Sequence, residues 1–301
     1  ANQQLADDLN QFYCRFEKQK NGLTDRQQLV RLGKLTSGTR TTSTGAPQGC
    51  VLSPLLFSLY TNDCTSKDPS VKLLKFADDT TVICLIQDGD KSAYKQEVEQ
   101  LSLWCSHNNL ELNTLKTVEM TVMDFWRKPP ALPPLTIMNS TLAVVDSFKF
   151  LGTNISQDLK WDIHIDSIVK KAQQRLYFLR QLKKLNLPQA LMTQFYSAVI
   201  ESVLCSSITV WFGAASKSDI RRLQRTVRTA ERIIGVHLPN LQDLYISRVK
   251  KRAGNIIQDP SHPGHNLFAL LPSGRCYRSL STKKSRHKNS FFPNAISSLN
   301  R

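Results

Sequence analysis

The sequence predicts an α+β protein, in which an antiparallel sheet with helices is followed by an all-α basic region. Two strand-forming runs, Val71–Ala77 and Thr80–Ile86, flank a pair of acids as the arms of a hairpin would. Strand-like and helical segments alternate up to Gly152, and beyond it apolar residues recur at helical spacing. The excess of positive charge also lies in this second part.

The first part of the chain mixes helices, strands and loops. Ser53 is predicted to cap a helix over Leu55–Tyr60 that has Pro54 in its first turn. The other elements predicted before Gly152 are, in chain order, a helix at Asp7–Glu17, a linker at 18–22, a strand "VRLG" at Arg31, a helix at Lys91–His107, a strand at 117–125, irregular chain at 127–134 and a strand "FKFLG" at 148–152.

Beyond Gly152 the pattern predicts three helices. The first, of about six turns, has an apolar stripe made by Ile165, Ile168, Val169, Ala172, Leu176 and Leu179. The second is predicted over Gln189–Thr209 and the third over Lys217–Gly235, with four arginines on one side of the third. The last 45 residues are rich in Ser, Pro, Lys and Arg, and only "NLFALLP" and "FFPNAI" are predicted to anchor them.

The net charge of +16 is distributed unevenly along the chain. Residues 1–159 hold 16 Lys and Arg against 17 Asp and Glu, whereas residues 160–301 hold 24 against 7. Clustered cations gain free energy by releasing the counterions of a polyanion, so nucleic acid is the first partner predicted and an anionic membrane surface the second. A basic surface that only solubilises the helices remains an alternative.

Other composition signals exclude several classes of protein. The seven cysteines are scattered without a C-x-x-C pair, which favours buried thiols over a disulfide framework or a zinc site. His262 and His265 have ligand-like spacing but no cysteine partners, so a loop is favoured. No apolar run is long enough to span a bilayer and no signal peptide is evident, which predicts an intracellular protein, nuclear or cytoplasmic, without a membrane partner.

Asp78 and Asp79 lie where the predicted hairpin reverses. Asp is a common turn residue, so a polar hairpin tip is one interpretation. Two carboxylates ~5 Å apart repel each other by about 3 kcal/mol at an effective dielectric of ~20, a cost that a bound divalent cation would reverse. The pair therefore also predicts a metal site.

Several segments together resemble the reverse transcriptases of non-LTR, LINE-like retrotransposons. "FADD" (Phe76–Asp79), preceded by "GAPQGCVLSPLLFSLYTND" (Gly45–Asp63), looks like the polymerase palm. "LELNTLKT" (Leu110–Thr117) resembles the next palm motif, "FKFLG" the primer-grip strand and the basic helices the thumb. The resemblance implies a leader at 1–25, a truncated palm at 26–152, thumb-like helices at 153–210 and a basic helical C-terminal region at 211–301.

The resemblance also implies roles for individual residues. Asp78 and Asp79 would hold catalytic Mg²⁺ or Mn²⁺, and Lys116 would lie near the leaving pyrophosphate. RNA template, DNA primer or duplex nucleic acid would be the partners. The residues expected to line template and substrate are Gly45, Pro47, Gln48, Gly49, Phe150 and Gly152. Those expected to bind nucleic acid are Lys170, Lys171, Arg175, Lys183, Lys184, Arg221, Arg225, Arg228 and Arg232.

One part of the family's palm is missing from this sequence. The family draws a further carboxylate from an earlier strand, but the acids upstream of Arg31 do not follow any strand-like apolar run. The fingers and first palm motif are therefore expected to be deleted between about Lys20 and Thr24, and the chain, which starts with Ala, to be a fragment or partial product. We expect this loss to impair polymerisation and to spare nucleic-acid binding.

Two alternatives remain open at the level of sequence. One is a non-enzymatic retroelement remnant that binds nucleic acid or nothing. The other is an iron- and 2-oxoglutarate-dependent dioxygenase, because residues about 148–184 resemble the N-terminal module of an alkylated-DNA-repair AlkB homologue and "HID" matches an H-x-D metal motif at His164 and Asp166. The helical context around "HID" argues against the iron site.

Overall fold

The computed structural model describes residues 26–42, 51–122 and 132–300. It combines helices with small sheets, which confirms the α+β class. The described residues divide into two compact units: the first holds 26–119 and 132–144, and the second holds 120–122 and 145–300. The domain boundaries inferred from the resemblance stay predictions.

The first unit is built from short strand pairs and two helices. Its strands are β1 Arg26–Gln28, β2 Arg31–Leu32, β3 Leu35–Thr36, β4 Arg40–Thr42, β5 Val71–Phe76, β6 Asp79–Cys84, β7 Val118–Glu119, β8 Thr136–Ile137, β9 Ser140–Thr141 and β10 Ala143–Val144. Its helices are α1 Ser53–Tyr60 and α2 Ser92–His107. The ladders β1–β4, β2–β3, β5–β6 and β8–β9 are antiparallel, whereas β7–β10 is parallel.

The predicted hairpin of the first unit is confirmed, with one difference in register. Its strands run from Val71 to Phe76 and from Asp79 to Cys84, so Asp79 is the first residue of β6 and the turn is Ala77–Asp78. Of the strand predicted at 117–125, Val118 and Glu119 pair with a neighbour, 120–122 are not strand, and 123–125 lie outside the described residues.

Helix α1 begins two residues earlier than predicted. Its N-cap is Leu52 and Ser53 is its first residue, so the prediction that Ser53 caps the helix was wrong. Pro54 lies in the first turn, as predicted, where a missing N–H costs nothing. The helix predicted at Asp7–Glu17 lies outside the described residues.

The second unit contains one β-hairpin and most of the helices. The hairpin is β11 Ser147–Phe150 with β12 Thr153–Ser156. Its two-residue turn has positive φ at both Leu151 (44°) and Gly152 (86°), as a tight turn between twisted strands requires. The helices are α3 Asp162–Lys184, α4 Gln189–Phe195, α5 Ser202–Leu204, α6 Ile208–Trp211, α7 Lys217–Ile234, α8 Leu241–Gln258, α9 Ser285–Lys288 and α10 Phe291–Leu299.

The second predicted helix is interrupted. Helix α4 continues through a π-helical turn, Tyr196–Glu201, into α5. The helical conformation is then interrupted at Cys205–Ser207, before α6 begins. Ser207 has φ of 50°, a left-handed conformation that a helix interior does not allow. The prediction of one helix over Gln189–Thr209 was therefore wrong at its C-terminal end.

Helix α7 confirms the third prediction and has both of its ends capped. The Ser216 hydroxyl accepts a hydrogen bond from the Asp219 N–H at 3.1 Å. At the other end Gly235 has φ of 86° and donates its N–H to the Glu231 carbonyl at 2.7 Å. The apolar stripe of α3 is buried as predicted, from Ile165 to Leu179.

The two units differ greatly in the size of their cores. The main cluster in the second unit has 27 buried residues drawn from α3 to α8, the tail and α10. The cluster in the first unit has four buried residues, Val98, Leu135, Ile137 and Leu142. The tail, predicted to be the least structured part, contributes Phe268, Ala295 and Ile296 to the larger core.

Candidate active site and nucleic-acid interface

The two acids predicted to bind metal lie at the tip of the β5–β6 hairpin. Asp78 shares the two-residue turn with Ala77, and Asp79 pairs with Phe76 at the start of β6. Ala77 has φ of 50°, in a region where Cβ crowding costs roughly 1–2 kcal/mol. Both carboxylates are exposed. The fold thus presents adjacent acids at a strained, solvent-facing turn.

The hairpin has one packed face and one open face. On the packed face Val82 lies against the small core around Val98, and the Lys75 ammonium donates to the carbonyl of Thr61 and, at 2.8 Å, to that of Cys64. The open face carries Leu74, Phe76, Asp79 and Ile83, because opposite residues of an antiparallel pair share a side. Phe76 is 62% exposed. Asp79 therefore stands on an uncovered, partly apolar surface.

The residues present fit a divalent metal only in part. Asp78 and Asp79 offer the carboxylate oxygens that Mg²⁺ and Mn²⁺ prefer. Within the described ranges, however, no three His, Cys, Asp or Glu side chains come close enough together to hold a metal ion. A pair of metals clamping both oxygens of a phosphoryl transfer requires a larger donor set. The described part of the chain therefore holds an incomplete set of metal ligands.

The other predicted palm residues are distributed between the two units and the part of the chain that the structure does not describe. Lys116 lies in an exposed turn, where its N–H donates to the Asn113 carbonyl at 3.1 Å, and its ammonium makes no hydrogen bond to Asp78 or Asp79. Phe150 and Gly152 belong to the β11–β12 hairpin of the second unit, where the rings of Phe148 and Phe150 meet edge to face. Gly45, Pro47, Gln48 and Gly49 lie outside the described residues.

Most of the predicted nucleic-acid-binding cations are exposed on α3 and α7. Among the described residues, their charged groups have no hydrogen-bond or ion-pair partner, and all are solvent-facing. They are Lys170, Lys171, Lys183, Lys184, Arg221, Arg225, Arg228 and Arg232. Such cations are available to phosphates without losing an internal contact.

Arg175 differs from the other predicted cations. It is half-buried, and its guanidinium donates a hydrogen bond to the Val199 carbonyl, in the π-helical turn after α4. Four further arginines also tie elements together. Arg222 bonds Asp166 and Asp219, Arg248 bonds the Cys205 carbonyl, Arg252 bonds Thr209 and lies over the Phe291 ring, and Arg286 bonds the Asp158 carbonyl.

Three exposed residues of α3 were not predicted to belong to the interface. Tyr177 is 57% exposed, Phe178 is 56% exposed, and their ring centroids lie 5.6 Å apart in an edge-to-face arrangement. Arg180 is exposed one turn further along the helix. Helical spacing in the sequence could have indicated their exposure, because none of the three falls on the apolar stripe from Ile165 to Leu179.

The H-x-D residues do not form an iron site. The His164 ring is buried between Trp161 and Trp211, and its Nδ1 accepts a hydrogen bond from the Asn154 N–H at 3.3 Å. Burial lowers the pKa of His164. Asp166 instead bonds Arg222 at 2.5 Å. The two side chains therefore serve packing and helix pairing, which leaves the dioxygenase alternative without its H-x-D metal ligands.

A helix that crosses a membrane must be both long and apolar. In the described ranges no single helix is long and apolar enough to cross a membrane. One bent pair, Gln189–Leu204 with Ile208–Ala214, passes on these two criteria alone. Its residues Met192, Tyr196, Ile200, Leu204 and Ile208 are part of the core.

Two family models match the chain. The model described as reverse transcriptase (RNA-dependent DNA polymerase) matches residues 5–155, which is half of the chain. The model described as alkylated DNA repair protein alkB homolog 8, N-terminal, matches residues 161–202, the segment from Trp161 through α3 and α4 to Ser202. The second match therefore falls on the helices that carry the exposed Tyr177 and Phe178.

Similar curated proteins come from transposable elements of flies. The probable RNA-directed DNA polymerase from transposon BS of Drosophila melanogaster is 27% identical over 71% of this chain and 25% of its own length. The RNA-directed DNA polymerase from mobile element jockey of the same species is 23% identical over 72% of this chain and 24% of its own. That of transposon X-element is 26% identical over 71% and 24%.

The chain spans about a quarter of the length of these relatives. No solved structure matches it. The match over half of the chain, together with the retrotransposon relatives, confirms the resemblance inferred from "FADD" and its flanking motifs. The chain belongs to the reverse transcriptase (RNA-dependent DNA polymerase) family.

Proposed function

We propose that this chain is part of a non-LTR retrotransposon reverse transcriptase that binds nucleic acid through its second unit and does not extend primers by itself. The observation that carries the proposal is the row of exposed, unpartnered cations on α3 and α7. RNA template and DNA primer are the proposed partners, bound inside the cell, in the nucleus or cytoplasm. Mg²⁺ or Mn²⁺ at Asp78 and Asp79 is the proposed cofactor, held weakly.

Binding is supported by the geometry of α7. Arg221, Arg225, Arg228 and Arg232 recur at helical spacing on the exposed side, opposite the buried residues Leu223 and Val227. With ~5 phosphate contacts, the logarithm of the affinity should fall with that of the salt concentration with a slope of about −4 to −5. An anisotropy titration of labelled RNA and of an RNA–DNA duplex at several salt concentrations measures this slope.

A triple variant, Arg225→Ala with Arg228→Ala and Arg232→Ala, separates this surface from the rest of the protein. We expect the slope to become shallower by about three, because each lost phosphate contact removes about one from it. The matched control is Lys34→Ala, an exposed cation in the β2–β3 turn of the first unit, which should leave the slope unchanged. Equal slopes for the triple variant and the wild type would contradict the proposal.

The proposed lack of polymerisation rests on the incomplete carboxylate set of the described residues and on the absence of the family's earlier carboxylate motif from the sequence. One lost carboxylate should remove several kcal/mol of transition-state stabilisation, which means a rate loss of about a thousandfold or more. Purified chain with primed RNA template, nucleotides and Mg²⁺ or Mn²⁺ should extend no more primer than the Asp78→Asn variant does. Extension by the wild type that Asp78→Asn abolishes would refute this part of the proposal and leave the binding part standing.

One observation favours the alternative of a remnant without a selected role. Helix α1 buries none of its residues, and Leu52, Leu55, Leu56, Leu59 and Tyr60 are all exposed. Exposed apolar surface of this kind is a liability for aggregation. Under this alternative the first unit would fail to unfold cooperatively.

A further inference from the structure

The exposed aromatic residues of α3 are not explained by the packing of the second unit. Tyr177 and Phe178 are adjacent, more than half exposed and in edge-to-face contact with each other. The larger core is complete without them, since the buried stripe of α3 runs along another side of the helix through Leu176 and Leu179. Exposure of an aromatic pair to water is unfavourable in free energy unless a binding partner covers it.

Cations surround the aromatic pair on its own helix. Lys170 lies seven residues before Tyr177. Arg180 lies three residues after it and Lys184 seven residues after it. At helical spacing all three therefore share the side of α3 that carries Tyr177. Each is exposed, and none makes a hydrogen bond or ion pair with another described residue. From Lys170 to Lys184, where α3 has no acidic residue, the side that carries Tyr177 is therefore electropositive.

Helix α7 adds cations beside this surface. Arg222 of α7 bonds Asp166 near the start of α3 at 2.5 Å. At the other ends, Gln189, which follows α3, donates to the carbonyls of Ile234 and Gly235 at 3.2 and 3.0 Å. The two helices therefore run side by side in the same direction. Arg225 is one turn beyond Arg222 and exposed, so the α3 side that carries Tyr177 continues into the arginine row of α7.

A cleft lies next to Phe178 of the aromatic pair. It has a volume of about 610 Å³ and is lined by Phe178, Leu182, Phe195 and Val199, with Arg175 at one wall. Phe178 thus forms both part of the aromatic pair and part of this apolar recess.

We propose that Tyr177 and Phe178 form a stacking platform for unpaired bases of single-stranded nucleic acid. The flanking cations would hold the phosphates, and the aromatic faces would receive bases, which is the combination that single-strand binding requires. Duplex bases are already stacked and have no free face for the platform. The inference rests on the proposed nucleic-acid binding of the second unit and names the strand form that this surface selects.

The test compares binding of labelled oligouridylate and of a duplex of the same length to the full chain. Tyr177→Ala should weaken single-strand binding about five- to a hundredfold, because stacking on one aromatic side chain is worth that much. Tyr177→Phe retains the ring and should bind like the wild type. The duplex affinity should change less than about twofold in either variant, since its dominant contacts are to phosphates.

The salt dependence distinguishes stacking from charge. Tyr177→Ala should lower the affinity without changing the slope, whereas Arg180→Ala should make the slope shallower by about one. The matched control is Leu191→Ala, an exposed apolar residue of α4 outside the platform. All of these side chains are exposed, so unchanged melting curves should show that the variants are folded.

Each contrary outcome has a separate meaning. If Tyr177→Ala binds oligouridylate as the wild type does, or weakens duplex and single strand equally, the platform is refuted while the proposed nucleic-acid binding stands. If the wild type binds no nucleic acid in a salt-dependent way, the proposed function fails as well. Displacement of bound oligouridylate by an acidic peptide that needs Tyr177 for its own binding would assign the surface to a protein partner instead.

Discussion

His164 is 1% exposed, and its ring lies edge to face with Trp211 at 5.6 Å and with Trp161 at 6.3 Å. Its Nδ1 accepts from the Asn154 N–H, so the proton of the neutral ring is on Nε2, which has no hydrogen-bond partner among the described residues. A second proton would place a charge between two indole rings. Burial, assisted by the charge of Lys171, accordingly lowers the pKa of this imidazole.

The lowered pKa of His164 predicts acid sensitivity of the second unit. The unfolded chain, with an ordinary histidine pKa of about 6.5, binds the proton more readily than the folded one. The free energy of unfolding should therefore fall as the pH drops through about 6.5 toward the lower pKa of the folded state. At higher pH the contribution of neutral His164 to stability is fully present. Urea unfolding at a series of pH values measures it.

The His164→Asn variant keeps an acceptor near the Asn154 N–H and cannot titrate. It should be less stable than the wild type at pH 7, because it loses ring packing, yet its stability should depend less on pH between about 7 and 5.5. His287→Asn, which removes an exposed histidine, should retain the slope of the wild type. A slope that survives in His164→Asn would assign the acid sensitivity to other groups.

The first unit contains a largely buried ion pair between Lys91 and Glu119. Lys91 and Glu119 are 14% and 4% exposed and 2.7 Å apart, and Glu119 also accepts from the Leu135 N–H at 3.0 Å. Glu119→Gln removes the negative charge that compensates the Lys91 ammonium, and the uncompensated charge should lower the free energy of unfolding by about 2–4 kcal/mol. Chemical denaturation monitored through the first unit measures the loss.

Two variants test this interpretation of the pair. Lys91→Met combined with Glu119→Gln removes both charges, keeps an amide oxygen that can accept from the Leu135 N–H, and should cost clearly less than Glu119→Gln alone, since no unpaired charge is left inside. Lys160→Ala, which breaks an exposed pair with Asp158, should cost under about 1 kcal/mol. A double variant less stable than the single one would mean that the pair stabilises the fold by more than its desolvation costs.

At the scale of elements, the success of sequence-based prediction followed the length of the periodic pattern. Helices α3 and α7 were predictable because apolar residues recur at helical spacing over 23 and 18 residues. The break at Cys205–Ser207 was not, because it depends on distant partners. Arg248 takes the freed carbonyl of Cys205, Trp211 takes that of Ser206, and Thr153 bonds the hydroxyl of Ser207.

The residues of the candidate site also differ in how far local sequence determines their position. The position of Asp78 and Asp79 at a hairpin turn was predictable, since two acids between strand-forming runs conflict with local preference, whereas their metal-binding role stays a prediction. The exposure of Tyr177 and Phe178 was not predictable, because single aromatics near an apolar stripe look like core residues until the neighbouring helices are placed. The tie between Arg175 and Val199 likewise depends on the π-helical turn, which no local pattern announces.

Helix α1 leads to a prediction at this scale. It has eight residues, none of them buried, and an isolated helix of that length is marginal in water. Its amides should exchange with deuterium at least about a hundredfold faster than those of the buried stretch of α3, which opens only with the larger core. Peptide-level exchange measures both in one experiment. Equal protection would indicate that α1 is covered in solution.

At the scale of the whole molecule, charge and stability divide along the same line. The first unit has four residues in its buried cluster, and the second has 27. Burial of apolar surface is the dominant favourable term in folding, so the units should unfold separately. We expect two transitions in urea, with the first unit unfolding at the lower concentration.

The tryptophans of the described residues lie in different units and should report these transitions separately. Trp104 belongs to α2 of the first unit, whereas Trp161 and Trp211 pack in or against the larger core. Trp104→Phe should therefore remove fluorescence change from the first transition and leave that of the second. The exposed arginines of α7 belong to the second unit, so salt-dependent RNA binding should persist at urea concentrations between the two midpoints. A single transition in which fluorescence change and RNA binding are lost together would contradict this division, because it would mean that the acid hairpin and the basic helices fold only as one cooperative body.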